Sequence, residues 1–329
     1  MYGIVAHQTK SGPRLSWEEV PDVSYEADEV LVKVMATAVN RADLLQARGA
    51  YPPPPGASDI LGLEMAGIII AKGEQVSDEW KIGDRVCALL PGGGYAERVA
   101  VPAEMLLRLP DSWSFVQGTA VPEVWLTAFV NLFLEGDLKK GETVLIHAGA
   151  SGVGTAAIQL AAATGCQVIV TASTPEKLVK CRELGASTAI NYKEQDFLQE
   201  TLAATGGEGV DVILDPVGGA YLDRNVKALK RFGRLVNIGL LSGGYGEMDM
   251  ARLLRNRLKI IGSTLRSRPP AEKIKIVKQF ESGYWPLLKS GELKPVIDTT
   301  FSITQAQEAH AYVAQNKNIG KVVLVVSAV

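Results

Sequence analysis

The stretch HAGASGVGTAAIQLA, residues 147–161, decides how the rest of the chain is read. Ahead of it runs ETVLIHAG, an apolar run with the make-up of a buried strand. Behind it TAAIQLAAATG is an apolar helix that Gly165 stops. A strand, a glycine-rich turn and a helix make a phosphate cradle. The helix start leaves backbone N–H groups unpaired and carries the positive end of the helix dipole.

The turn fits the dinucleotide fingerprint G-x-G-x-x-G in part. Gly149 and Gly154 stand at its first and last glycines, and Ser151 occupies the middle one. Gly152 beside it gives the backbone room to approach a pyrophosphate. An ordinary strand–helix connection also needs a glycine, so the setting matters. From Glu142 to about Leu265 the chain alternates short apolar runs with helix-length pieces. The runs are TVLIHA, CQVIVTA, STAINY, VDVILDPV, GRLVNIG and LKIIGSTL, and the pieces between them end at Gly165, Gly185, Gly206 and Gly233. Six strands in such alternation predict a doubly wound parallel sheet, an α/β fold.

The end of the second strand tells one dinucleotide from another. NAD sites place an acid there, roughly 20 residues past the fingerprint, on the ribose 2′-hydroxyl. In VIVTASTPEKLVK no carboxylate stands at Ala172, Ser173 or Thr174. Ser173 can donate a hydrogen bond, and Lys177 lies one turn into the next helix, behind Pro175 at its first position. A carboxylate would repel a 2′-phosphate and an ammonium would pair with it. The pattern predicts NADPH, although Lys177 alone is what any solvated helix lysine looks like.

The first third has another rhythm. From Met1 to about Val121, short β-type runs (EVLVKVMATAV, MAGIIIAKG, DRVCALL, YAERVAVP) alternate with the turn signals SGP, YPPPPG, KIGD and PGGG. This predicts a β-rich, barrel-like module. After Leu265, RSRPP breaks the pattern. An amphipathic stretch over Ala271–Ser290, a second one in ITQAQEAHAYVAQ and the strand GKVVLVV follow, and these return to the first module.

The 329 residues are 47% hydrophobic and 21% charged, with net charge −2, a balance that points to neither nucleic acid nor an acidic membrane as partner. The three scattered cysteines argue against a disulfide framework, and the N-terminus shows no leader pattern, so a cytoplasmic protein is expected. No apolar run is long enough to span a bilayer. Cys87, Cys166 and Cys181 lie far apart and only His7, His147 and His310 accompany them, so no metal site is expected. Ser151 lacks the G-x-S-x-G elbow of a nucleophile. Hydride transfer by a bound nicotinamide is the chemistry left.

Six blocks carry a resemblance: NRADLLQARGAYPPPPGASDILGLEMAG, WKIGDRV, ALLPGGGYAE, PEVWLTAF, LIHAGASGVGTAAIQL and NKNIGKVVL. Together they resemble, end to end, the zinc-free quinone oxidoreductases, the zeta-crystallin-like branch of the medium-chain dehydrogenase/reductase superfamily. The resemblance implies a GroES-like catalytic domain over 1–122 completed by 268–329, a Rossmann NADPH-binding domain over 123–267, a cleft between them and a homodimer. Zinc-dependent relatives carry a histidine in GHE where this chain has Leu63 in GLE, and their first catalytic cysteine is replaced within ATAVNRAD.

Carried over residue by residue, the resemblance places Asn40 beside the nicotinamide ribose, Tyr51 at the substrate and nicotinamide, and Thr127 near the carboxamide. Ser151, Gly152 and Val153 line the pyrophosphate and nicotinamide, and Ser173, Lys177 and Tyr192 surround the 2′-phosphate. Gly239, the backbone of Leu265, Arg266 and Ser267, and Lys317 complete the cofactor site, while Tyr51, Asn40 and Ser151 form the catalytic set. Each residue has a plainer reading: Tyr51 as a turn-packing aromatic, Asn40 as a strand-end cap, Thr127 as a helix residue bonding its own backbone, Tyr192 as an edge tyrosine. Glu64 is expected to be buried and structural, paired with Arg41 or Arg85, and Cys87 to lie in the core.

The function expected is hydride transfer from NADPH to a quinone without metal, Tyr51 donating a hydrogen bond to the oxygen on which negative charge grows. Reduction of an α,β-unsaturated carbonyl, an enone or enoyl thioester, needs the same cofactor site and stays open. So does a non-catalytic NADPH-binding or sensor protein, against which the intact Tyr51, Asn40 and Ser151 weigh.

Overall fold

The computed structural model describes residues 1–10 and 12–326. In chain order come β1 (Tyr2–Thr9), β2 (Gly12–Glu19), β3 (Glu29–Val39), α1 (Arg41–Ala47), β4 (Glu64–Lys72), β5 (Arg85–Leu89), β6 (Arg98–Pro102), β7 (Leu106–Arg108), α2 (Phe115–Thr119) and α3 (Pro122–Phe129). Then follow β8 (Thr143–Ile146), α4 (Gly152–Ala163), β9 (Gln167–Ala172), α5 (Pro175–Glu183), β10 (Thr188–Asn191), α6 (Phe197–Ala204), β11 (Val210–Asp215), α7 (Leu222–Ala228), β12 (Leu229–Asn237), α8 (Met250–Asn256) and β13 (Lys259–Gly262). The last elements are α9 (Pro270–Gly283), α10 (Trp285–Ser290), β14 (Ile297–Ser302), α11 (Ala306–Ala314) and β15 (Lys321–Val325). They form two compact units, Met1–Leu126 with Arg266–Val329, and Thr127–Leu265.

In the first unit β1 and β2 make an antiparallel hairpin, and a seven-stranded sheet runs β14-β15-β3-β4-β5-β7 with β6 also on β3. The 11 residues of β3 are long enough for three partners: its first half pairs β6, its second half pairs β15, and β4 lies along both. Its sequence shows why. Residues 29–34 alternate in burial and leave Lys33 wet, whereas Met35–Val39 are buried throughout. Ile4, Leu15, Val39, Leu44, Leu61 and Tyr95 pack with Val322 and Leu324 of β15 and with Ala309 and Val313 of α11. The C-terminal segment thus completes this core. The stretch 271–290 is two helices rather than one, because Pro286 lacks the N–H that would continue the ladder of α9. β14 is a strand that no reading of the sequence identified.

The second unit is a parallel sheet in the order β10-β9-β8-β11-β12-β13. The strand order reverses between β8 and β11, the switch point where open α/β sheets receive ligands at their carboxyl ends. Leu145, Ile169, Ile190, Ile213 and Leu235, one from each of five strands, pack with Phe197, Leu198 and Val226 of the helices. Gly233 does not end a helix as expected. It lies inside β12, next to Phe232 at φ 64°, where the register against β11 shifts. A glycine in a strand marks such an irregularity as readily as it marks a helix stop.

Candidate active site

The turn between β8 and α4 is built by close contacts. His147 N–H donates to Leu214 C=O at 3.1 Å, and Gly149 N–H to Thr171 C=O at 2.9 Å, which tie the turn to β11 and β9. Ala148 adopts φ 53°, a left-handed backbone that costs a non-glycine residue about 1–3 kcal/mol and collects at ligand loops. Ser151 is the N-cap of α4, its Oγ accepting Gly154 N–H at 3.0 Å. Gly154 must be glycine: a Cβ there would stand 2.4 Å from Ala148 O and 2.5 Å from Gly149 O. The N–H groups of Gly152 and Val153, at the first two helical positions, have no place in the intrahelical ladder.

The neighbouring strand ends bring Ser173, Lys177 and Tyr192 together. Asn191 of β10 pairs with Ala172 of β9, and Tyr192 N–H donates to Ala172 C=O at 3.2 Å. Thr174 caps α5 by accepting Lys177 N–H at 3.4 Å, which seats Lys177 in the first turn beside Ser173. Gly239 and Leu265 follow β12 and β13 on the same carboxyl edge, joined by Ser263 N–H to Asn237 C=O at 3.0 Å. Beneath the turn lies a buried polar network: His147 Nδ1 to Thr171 Oγ1 (3.0 Å), His147 Nε2 to Asn225 Oδ1 (2.8 Å), and Asn225 Nδ2 donating to Asp215 Oδ2 (3.0 Å). Burial holds the His147 imidazole below its usual range, so it stays neutral and braces the turn.

These residues fit a dinucleotide. Thr127 Oγ1 and Asn131 Oδ1, four residues apart where α3 passes into a π-helical turn over Val130–Glu135, are buried with no hydrogen-bond partner. Buried polar atoms are seldom left so, and a π turn often marks a ligand site. Two orphaned oxygens match a donor group such as the amide of a carboxamide. Ser151 and the bare N–H groups of α4 would hold a pyrophosphate.

The first unit carries a buried charge network around Asn40, the N-cap of α1. Lys321 Nζ, 3% exposed, donates to Glu64 Oε1 at 2.6 Å and to Asn40 Oδ1 at 2.7 Å. Asn40 Nδ2 donates to the same Glu64 oxygen at 2.8 Å, and Glu123 N–H to the other, Oε2, at 2.8 Å. Glu64 is buried and structural, but its partner is Lys321 rather than Arg41 or Arg85. β15 lies antiparallel on β3 and sets Val322 opposite Val39. Arg85 is instead spent on the carbonyls of Asp111 and Trp113, and Arg41 on Asn316. Asp43 accepts N–H bonds from Asn40 and Gly62 at 2.7 and 3.0 Å; burial nevertheless pushes its carboxyl up to about 6. Burial, then the charge of Glu64, pushes Glu123 up to about 8.

Tyr51 heads the proline-rich loop and is half-buried over the guanidinium of Arg266. Burial and Glu123 raise its phenol above the usual value while Arg266 opposes them. Ser267 and Lys317 are exposed, Lys317 in the turn between α11 and β15. Among the described residues no three His, Cys, Asp or Glu side chains are grouped as metal ligands, and none of the helices is long and apolar enough to cross a membrane.

Two family models match, the alcohol dehydrogenase GroES-like domain over residues 26–111 and the zinc-binding dehydrogenase over 152–282. The quinone oxidoreductase of Escherichia coli, solved in complex with NADPH, superposes with a TM-score of 0.88 at 28% identity, over 99% of this chain and 100% of that one. The rat (Rattus norvegicus) synaptic vesicle membrane protein VAT-1 homolog is 31% identical over 311 residues, 90% of this chain and 76% of its own length. The chain belongs to the medium-chain dehydrogenase/reductase superfamily, in its zinc-free quinone oxidoreductase-like branch. The CurK enoyl reductase is a further structural relative, at TM-score 0.85 and 30% identity over 98% of both chains.

For this medium-chain reductase the sequence reading missed Lys321, Asp43, Asn131, Asp215 and Asn225. Asn131 had a signal: a polar residue in the apolar run Val121–Leu134, one turn beyond Thr127. Lys321 had none, since it lies 257 positions from Glu64.

Proposed function

We propose that this reductase transfers hydride from NADPH to a quinone without using a metal. The observation that carries the reading is the end of β9, where Ser173, Lys177 and Tyr192 gather with no carboxylate among residues 172–174. The likeness to an NADPH-complexed quinone oxidoreductase supports it. Bound NADPH supplies the hydride, from C4 of its nicotinamide. The protein's part is to hold and orient. Gly152 and Val153 N–H groups and Ser151 bind the pyrophosphate, Thr127 and Asn131 orient the carboxamide, and Lys177 neutralises the 2′-phosphate. Glu64 and Lys321 fix the amide of Asn40, and Gly239, Leu265, Ser267 and Lys317 fill out the cofactor's surroundings. Tyr51 donates a hydrogen bond to the acceptor oxygen as its charge grows. A reduced quinone can take its protons from water, so the phenol need not ionise.

Enone reduction is the second reading, favoured by the likeness to an enoyl reductase. Following NADPH and NADH oxidation at 340 nm against an ortho-quinone, a para-quinone and a simple enone separates the two. NADPH with a quinone should turn over fastest; turnover of the enone alone would sink the quinone assignment. Tyr51→Phe should lower kcat/KM for the quinone about tenfold and leave the KM for NADPH unchanged.

The three free cysteines suit a reducing, cytoplasmic compartment. β13 ends the sheet with its outer edge open beside exposed Phe232, Leu254 and Ile260, the kind of edge that a second copy covers. This supports the proposal of a homodimer, expected to give about twice the 35.2 kDa chain mass in light scattering. A chain-mass reading at micromolar concentration would overturn that assembly.

A further inference from the structure

Arg266 is where the chain re-enters the first unit, and its side chain is only 4% exposed. Its Nε donates to Pro91 C=O at 2.7 Å, Nη2 to Gln46 Oε1 at 2.7 Å and Nη1 to Tyr51 C=O at 3.4 Å. The guanidinium carbon stands 5.3 Å from the centroid of the Tyr51 ring. Lys273 of α9, 8% exposed, donates from Nζ to Arg266 C=O at 3.3 Å. Every one of these acceptors is neutral. Among the described residues, neither cation makes an ion pair.

Two buried cations side by side without an ion-pair partner are expensive, because each has lost its water. Two carboxyls act on Arg266 without pairing with it: Asp43, whose oxygens accept the N–H groups of Asn40 and Gly62, and Glu123, whose Oε2 is buried without a hydrogen-bond partner. With its carboxyl pushed up to about 8, Glu123 is mostly uncharged at neutral pH. Neither carboxyl hydrogen-bonds the guanidinium, so its charge stays against the Tyr51 ring. A cation against an aromatic face holds the ring in place, and it draws electron density from the phenol.

We propose that Arg266, backed by Lys273, is the positioning residue for Tyr51: it clamps the loop that carries the ring and keeps a positive charge against it, so that the hydroxyl donates more strongly to the acceptor oxygen. The inference rests on Tyr51 being the acceptor's hydrogen-bond donor. It gives the Arg266 side chain a role on the acceptor side, apart from any contact that its backbone makes with the cofactor.

The test compares Arg266→Met and Arg266→Lys, alone and combined with Tyr51→Phe, by quinone turnover and by NADPH affinity from fluorescence titration. Arg266→Met should lower kcat about five- to tenfold and leave the NADPH Kd within about twofold, with Arg266→Lys recovering most of the loss. In the Tyr51→Phe background Arg266→Met should change kcat by less than about twofold, because the residue through which it acts is already lost. Additive losses would overturn the inference, as would an unchanged kcat or an NADPH Kd that rises in step. If Tyr51→Phe alone is silent, the reading of Tyr51 falls first, and the Arg266 effect with it. Should Arg266→Met not fold, Gln46→Leu removes one arm of the clamp and keeps the charge. It should cost about threefold in kcat in the presence of Tyr51 and nothing in its absence, and any other pattern overturns the inference.

Discussion

Changing Lys321 to methionine should cost the first unit about 3–5 kcal/mol of stability, read as a large drop in the urea midpoint of its unfolding. Methionine fills nearly the same volume, so packing is kept and only the charge is lost. What remains is the carboxylate of Glu64, 0% exposed, with hydrogen bonds from Asn40 and Glu123 but no cation. An ion left unpaired in the interior is far worse than a neutral pair of the same shape. Adding Glu64→Gln to Lys321→Met should therefore recover at least about half of the loss, a non-additivity that two independent sites would not show. A single variant within about 0.5 kcal/mol of the parent would mean that the network contributes nothing to the fold.

Ser173→Asp should lower kcat/KM for NADPH about a hundredfold and leave NADH as good or better. Ser173 directly follows β9, near Lys177 and Tyr192, where the ribose of a bound dinucleotide is expected. Two like charges about 4 Å apart repel by about 4 kcal/mol at the effective dielectric of a protein surface. Salt screening removes part of this, leaving on the order of 3 kcal/mol, or about a hundredfold. The same aspartate can accept hydrogen bonds from the 2′-hydroxyl of NADH. An unchanged NADPH preference would place the phosphate elsewhere, and the argument from the missing acid would fall.

Local features of the site were open to reading in the sequence, and distant ones were not. Gly149, Ser151 and Gly154 announce the turn because strand, loop and helix signals follow one another within 15 residues. The six parallel strands are visible for the same reason, each an apolar run bounded by its own turn. Gly233 misled because a glycine that relieves a strand irregularity and a glycine that stops a helix look alike one residue at a time. Lys321 with Glu64, and Arg266 with Tyr51, are separated by 257 and 215 positions, and neither sits in a local pattern. Their pairing is decided by where β15 and the segment before α9 are laid down, which depends on the packed core of the whole first unit.

The placement of β15 between β14 and β3 also sets an order of events during synthesis. The parallel-sheet unit, Thr127–Leu265, is continuous and can fold as soon as it leaves the ribosome. The first unit begins earlier and finishes later, since the second half of β3, Ala36–Val39, gains its partner on the β15 side only when residues 321–325 emerge. At about 5–20 residues per second that wait lasts on the order of tens of seconds. Throughout it Glu64 has no ammonium beside it and the second half of β3 has one edge bare. The nascent chain thus carries an unfinished sheet ahead of a finished domain, and a chaperone that binds exposed strand edges would meet it there.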